Sequence, residues 1–143
     1  MTVPVSPGTT PRLSPVTRFT ALIAVGAARL LSRRPPRRIR RILSVAAFGA
    51  RPANYAEAAR ARDTILSVSI RCCGPRACLP RSIAVALLCR LRGTWPTWCV
   101  GVVAVPPFTA HAWVEADGRP VDEVVEADGL RTLFAVVPQN PVG

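Results

Sequence analysis

Apolar positions recur along this chain first at helical and then at strand spacing. Residues 16–33 read as a helix carrying Phe19, Leu22, Ile23, Leu30 and Leu31, and Pro35-Pro36 ends it. Residues 37–48 read as a second helix, with Ile39, Ile42, Leu43, Ala46 and Ala47 at helical spacing among Arg37, Arg38, Arg40 and Arg41. A third spans 54–70, where Asn54 followed by Glu57 has the form of a capping box. The fourth, 79–92, is apolar around most of its circumference, which predicts a buried helix. Pro80 suits its first turn and Gly93 its end. Strand patterns then take over. Trp98–Val105 is Val-rich and ends at Pro106-Pro107, and Phe108–Glu115 follows. Arg119–Val125 is joined to it through Asp117-Gly118, a hairpin signal, and Leu133–Val137 is a short last strand or edge. Val-Glu-Ala-Asp-Gly occurs at 114–118 and again at 125–129, which reads as two similar turns and not as a repeat fold. Helices followed by an antiparallel sheet predict an α+β fold.

Composition divides this plan into three parts. Residues 1–15, with four prolines and several Ser and Thr, read as a disordered tail. Residues 16–53 form a basic helical segment, and 54–143 form the core. The net charge is +11, carried by arginine alone, and ten arginines precede the first acidic residue, Glu57. The basic helices read as a solvated layer on the core or as a surface for a partner. Nucleic acid is not expected, because no aromatic residues interleave the charges and no binding motif is present. The double proline and Pro-rich start argue against a transit peptide. Membrane contact is not expected either: the apolar run Phe19–Leu31 is too short to span a bilayer and contains Arg29. The five cysteines, Cys72, Cys73, Cys78, Cys89 and Cys99, follow no secretion signal, so free thiols and a cytoplasmic location are expected. Their spacing and the single histidine do not make a zinc set, and no phosphate-binding loop is present, so neither metal nor cofactor is expected.

Two residues concentrate the chemistry. Cys78 stands at the mouth of the buried helix, where the helix dipole and unpaired N–H groups favour a thiolate and can stabilise an oxyanion. His111, the only histidine, lies in a strand and has the chemistry to serve as base and then as acid to the leaving amine. Cys89, mid-helix, and Cys99, in an apolar strand, read as packing thiols. The group orienting the imidazole depends on the hairpin. A two-residue Asp117-Gly118 turn makes facing residue numbers sum to 235, which puts Val124 opposite His111 and Asp122 diagonal on the same face. A three-residue turn from Ala116 makes the sum 234 and sets Glu123 opposite His111. Asp117 itself lies about 20 Å along the strand from His111 and is rejected.

Three stretches carry a resemblance. They are Cys78-Leu79-Pro80-Arg81-Ser82-Ile83-Ala84, Leu88-Cys89-Arg90-Leu91-Arg92-Gly93, and Ala110-His111-Ala112-Trp113-Val114-Glu115-Ala116-Asp117-Gly118-Arg119-Pro120-Val121. The order of Cys on a helix, His-Ala-Trp-Val-Glu in a strand and an acid on the next strand looks like the transglutaminase-like branch of the papain-like hydrolases. The combined motifs resemble the stand-alone leader peptidases of lasso peptide biosynthesis, the second B protein, over roughly residues 55–125. The resemblance implies a transglutaminase-like core and a bacterial cytoplasmic cysteine protease that cleaves the leader from a ribosomally made precursor through a Cys-His-acid triad. It maps the triad to Cys78, His111 and an acid at Asp122 or Glu123. Its implied partners are the precursor leader peptide, a separate leader-recognition protein and an asparagine-synthetase-like lasso cyclase. An acyl transferase on the same triad and a non-catalytic scaffold of the biosynthetic complex are the alternatives.

Overall fold

A computed structural model describes residues 13–69, 74, 77–104, 108–121 and 129–139. In chain order these form α1 (Pro15–Leu31), α2 (Pro36–Ala47), β1 (Arg51–Pro52), α3 (Tyr55–Val68), α4 (Cys78–Leu91), β2 (Thr94–Trp95), β3 (Thr97–Val103), β4 (Thr109–Ala116), β5 (Arg119–Pro120) and β6 (Leu130–Val136). The architecture is α+β. A four-stranded sheet of order β5-β4-β3-β6 is antiparallel throughout, and β1 and β2 form a separate parallel pair.

Helix α4 is the centre around which the rest packs. Ile83, Ala84, Val85, Ala86, Leu88 and Cys89 are all buried, as expected of a helix apolar on every side. It touches α1, α2, α3 and the sheet. The Trp98 indole of β3 donates to Ser82 Oγ at 3.0 Å, tying the sheet to the helix's first turns. At the other end, Arg90 Nε donates to the Ala46 carbonyl at 2.6 Å and fastens the end of α2. That bond satisfies a terminal helix carbonyl, which otherwise lacks an intrahelical donor.

Helix α1 packs by its small residues. Ala21, Ala24, Val25 and Ala28 are buried, at steps of three and four, while Phe19, Leu22, Ile23 and Leu30 point to solvent. Alanines let the axes of α1 and α4 approach closely, and the bulky residues that mark the helix in the sequence lie on its outer side. On α2 the buried positions are Ile39, Leu43 and Ala47, one per turn. Burial of such an Ile or Leu contributes about 1.5–3 kcal/mol. Both helices belong to the same apolar cluster as α3, α4 and one face of the sheet.

The capping box at α3 is formed: Asn54 Oδ1 accepts from the Glu57 N–H at 2.8 Å, and Glu57 Oε1 accepts from the Asn54 N–H at 3.0 Å. The β4–β5 hairpin uses the two-residue turn. Asp117 and Gly118 have φ of +53° and +76°, and Glu115 pairs with Pro120, the 235 register. The third strand pairs with β4 at Arg119 and Pro120, and the Val121 N–H continues to the Val114 carbonyl at 3.0 Å; the rest of the expected 119–125 lies outside the described residues. The last strand starts earlier than expected, at Leu130, and pairs along β3.

Candidate active site

Cys78 is the first residue of α4, following the cap residue Ala77. Three N–H groups in that first turn find no helical acceptor in general, and here Pro80 contributes none. The Arg81 N–H is bonded to the Ala77 carbonyl at 2.9 Å. The Cys78 and Leu79 N–H groups therefore have no acceptor within the helix. The helix dipole adds its positive end at the same place.

The register of β4 explains what meets the thiol. In an antiparallel strand, alternate residues turn their N–H and C=O to opposite neighbours. Val114 turns toward the β5 side, since its carbonyl accepts from the Val121 N–H at 3.0 Å. Ala112, two residues earlier, turns the same way. That N–H meets Cys78, whose sulfur is hydrogen-bonded by the Ala112 backbone N–H and by the His111 side chain. The start of α4 thus sits against β4, with the Cys78 thiol at His111 and the Ala112 N–H. The His111 ring also stacks on Trp113, 5.7 Å between centroids and 16° between planes. Trp113 is buried, and its indole donates to Glu115 Oε2 at 2.9 Å. His111, Trp113 and Glu115 thus form one buttressed row on one face of β4.

The electrostatics separate the three described thiols. Burial opposes ionisation of Cys78. The His111 hydrogen bond, the Ala112 N–H, and the charges of His111 and Arg81 outweigh it and hold the thiol below its ordinary value. Burial pushes Cys89 and Cys99 up to about 12, so both stay protonated at neutral pH. Arg81, one turn along α4 from Cys78, is buried, and its guanidinium donates to the Gly74 carbonyl at 3.3 Å. A buried cation near a sulfur favours its anion. This contribution was readable from the three-residue helical spacing. The Ala112 N–H was not, because its direction depends on the register of β4.

Asp117, rejected as the orienting acid, has a structural position instead. Its Oδ2 accepts from the Tyr55 N–H at 2.8 Å at the start of α3, and the Arg119 guanidinium lies 3.8 Å over the Tyr55 ring. Asp122, Glu123, Cys72 and Cys73 lie outside the described residues. Among the described residues no cluster of three or more His, Cys, Asp or Glu is placed to hold a metal ion.

A family model described as the transglutaminase-like superfamily matches residues 21–135, most of the chain. The chain belongs to the transglutaminase-like superfamily. The superfamily match begins inside α1 and ends in β6, so it takes in the two basic N-terminal helices together with the cysteine helix and the sheet. No curated protein sequence and no solved structure matches the chain. No helix among the described residues is long and apolar enough to cross a membrane.

Proposed function

We propose that this chain is a cysteine peptidase that removes the leader from a ribosomally synthesised lasso peptide precursor in the bacterial cytoplasm. The observation that carries the reading is the hydrogen bond between the Cys78 thiol and the His111 imidazole at the start of α4. Membership of the transglutaminase-like superfamily and the resemblance of the Cys78 and His111 stretches to leader peptidases support it.

In this reading His111 takes the thiol proton and the Cys78 sulfur attacks the scissile carbonyl carbon. The C–S bond forms as the carbonyl electrons move to oxygen. The N–H groups at the start of α4 are the donors offered to that oxyanion. Collapse breaks the C–N bond, and His111 donates its proton to the departing amine. Water then attacks the thioester, passes a proton to His111, and expels the sulfur, which restores the starting state. Asp122 or Glu123 completes the triad by orienting the imidazole. A separate recognition protein presents the leader, and a cyclase of the asparagine-synthetase type uses the freed core.

The test is reconstitution of the purified chain with the short precursor and recognition protein encoded beside it, followed by mass spectrometry. Leader and core fragments whose summed mass exceeds the precursor by one water are expected. Cys78→Ala and His111→Ala should each lower the rate by about 10³-fold or more, in line with loss of a member of a catalytic unit. Cleavage that persists in Cys78→Ala removes the proposal. Products joined to an added amine instead of water identify an acyl transferase on the same residues.

A further inference from the structure

Helix α2 breaks a local rule in a way that the chemistry at Cys78 does not use. Its first six residues carry Arg37, Arg38, Arg40 and Arg41, and its first turn has no acidic residue and no side-chain cap. Cations at a helix N-terminus oppose the helix dipole, so this arrangement lowers the helix's own stability. Among the described residues the ion pair is Arg51 with Glu57, and none of the four α2 arginines takes part in it. Sequences that violate local preference in this way tend to do so where function requires it.

Three of these arginines, Arg37, Arg40 and Arg41, line a groove of about 670 Å³ together with Ser44, Val45, Phe48 and Gln139. Its chemistry is mixed. Arg37, Arg40 and Arg41 supply positive charge, and no carboxylate lines the groove among the described residues. Val45 and Phe48 are 73% and 58% exposed, so a large apolar surface lies open beside the charges. The groove is also held in shape. Arg40 rests over the Phe134 ring at 5.5 Å, the Gly49 N–H is bonded to the Gln139 carbonyl at 2.8 Å, and Arg90 binds the Ala46 carbonyl beneath. Arg90 lies twelve residues along α4 from Cys78, about 18 Å at 1.5 Å per residue, so the groove is remote from the thiol.

We infer that this groove binds an acidic amphipathic segment of a partner polypeptide, its carboxylates on Arg37, Arg40 and Arg41 and its apolar side chains on Val45 and Phe48. Guanidinium forks match carboxylates in bidentate geometry, and an amphipathic helix seats apolar anchors three or four residues apart in such a groove. Nucleic acid fits less well, since a single aromatic ring, Phe48, is open in the lining where stacking would need several. The inference concerns α2 and does not rest on the peptidase reading.

Panning a phage-displayed library of random 16-residue peptides against the full chain tests it. The expected result is enrichment of peptides with several Asp or Glu and with Leu or Phe at three- or four-residue intervals. Synthetic copies should bind at least tenfold more weakly to the Arg37→Glu, Arg41→Glu double variant and to Phe48→Ser, and weaken with salt. Cys78→Ala should bind them unchanged, which keeps the outcome separate from that of the cleavage test. The iodoacetamide reactivity of Cys78 in the α2 variants reports that the fold survives. If those variants lose that reactivity, Arg37→Gln and Val45→Ser replace them with the same expectation. Enriched peptides without acidic residues, binding indifferent to the α2 variants, or no enrichment would each overturn the inference. So would tighter binding of phosphatidylserine vesicles or poly-uridine through the same arginines.

Discussion

At Cys78, burial and the local donors pull in opposite directions, and the donors prevail. The consequence is measurable as the pH dependence of alkylation, with each thiol followed by peptide mass mapping. The Cys78 rate should rise through a midpoint below the ordinary thiol range of about 8.5. His111→Ala removes the first-ranked of the influences that lower it and should move the midpoint up. Arg81→Gln should move it up by less, since that charge is the smallest contributor. Cys89 and Cys99, pushed to about 12 by burial, should stay unreactive until the chain unfolds. The sign for stability follows from the same direction. A folded value below the unfolded one favours the fold above the unfolded value, and this contribution fades as pH falls through the folded one. An unchanged Cys78 profile in His111→Ala would show that the imidazole does not act on the sulfur. A lone Cys at a helix start and a lone His in a strand are each commonplace, and it was the motifs around Cys78 and His111 that singled the two out in the sequence. The Ala112 donor was invisible in sequence, where alanine announces nothing and only the packing of α4 on β4 gives its N–H a task.

Among the elements, β3 does most to fix where His111 stands. Gly101 is its partner across the ladder, and the pairing of β3 with β6 shifts at Val100/Gly101. A Cβ on Gly101 would collide with the Arg131 carbonyl and come within 2.9 Å of Thr132 Cα, both backbone. Backbone cannot rotate away as a side chain can, so Gly101→Ala must displace β6 or bend β3. The expected loss is about 1–3 kcal/mol, the range of overpacked sites, read as a lower denaturation midpoint. A slower Cys78 alkylation rate should accompany it, because the strain falls opposite His111. A midpoint equal to that of the parent would mean the shift at Val100/Gly101 relaxes without effect. The Val-rich run announced this strand, but neither its register with β6 nor the need for glycine follows from hydropathy. The hairpin was more legible, since Asp117-Gly118 restricts the choice to a few turns. Only the coordinates show that Asp117 also caps α3 through the Tyr55 N–H. Helix α1 was legible in extent and opaque in orientation, because its packed face is alanine and its exposed face carries the bulky residues.

For the whole molecule, the question is whether the two basic helices are an appendage or part of the cooperative unit. Composition separates residues 16–53 from the rest, since arginine is concentrated there and acids are absent. Packing does not follow that division. Helix α1 meets α4 more extensively than α3 does, and Ala21, Ala24, Ala28, Ile39 and Leu43 share one cluster with Ile83, Leu88 and Trp98. Without α1 and α2, the part of α4 they cover would face water, and α4 carries Cys78. Native-state hydrogen exchange distinguishes the cases. Amides of α1 and α4 should exchange with similar opening free energies, close to that of global unfolding, because neither helix can open without exposing the other. Exposed apolar residues on α1 do not weaken this expectation, since protection depends on the face that is covered. A chain beginning at residue 54 should then lack a cooperative unfolding transition and show fast alkylation of Cys89, the thiol the core hides. If α1 exchanges as a free helix while α4 stays protected, the basic segment is an attachment, and the helix that carries Cys78 is held by α3 and the sheet alone.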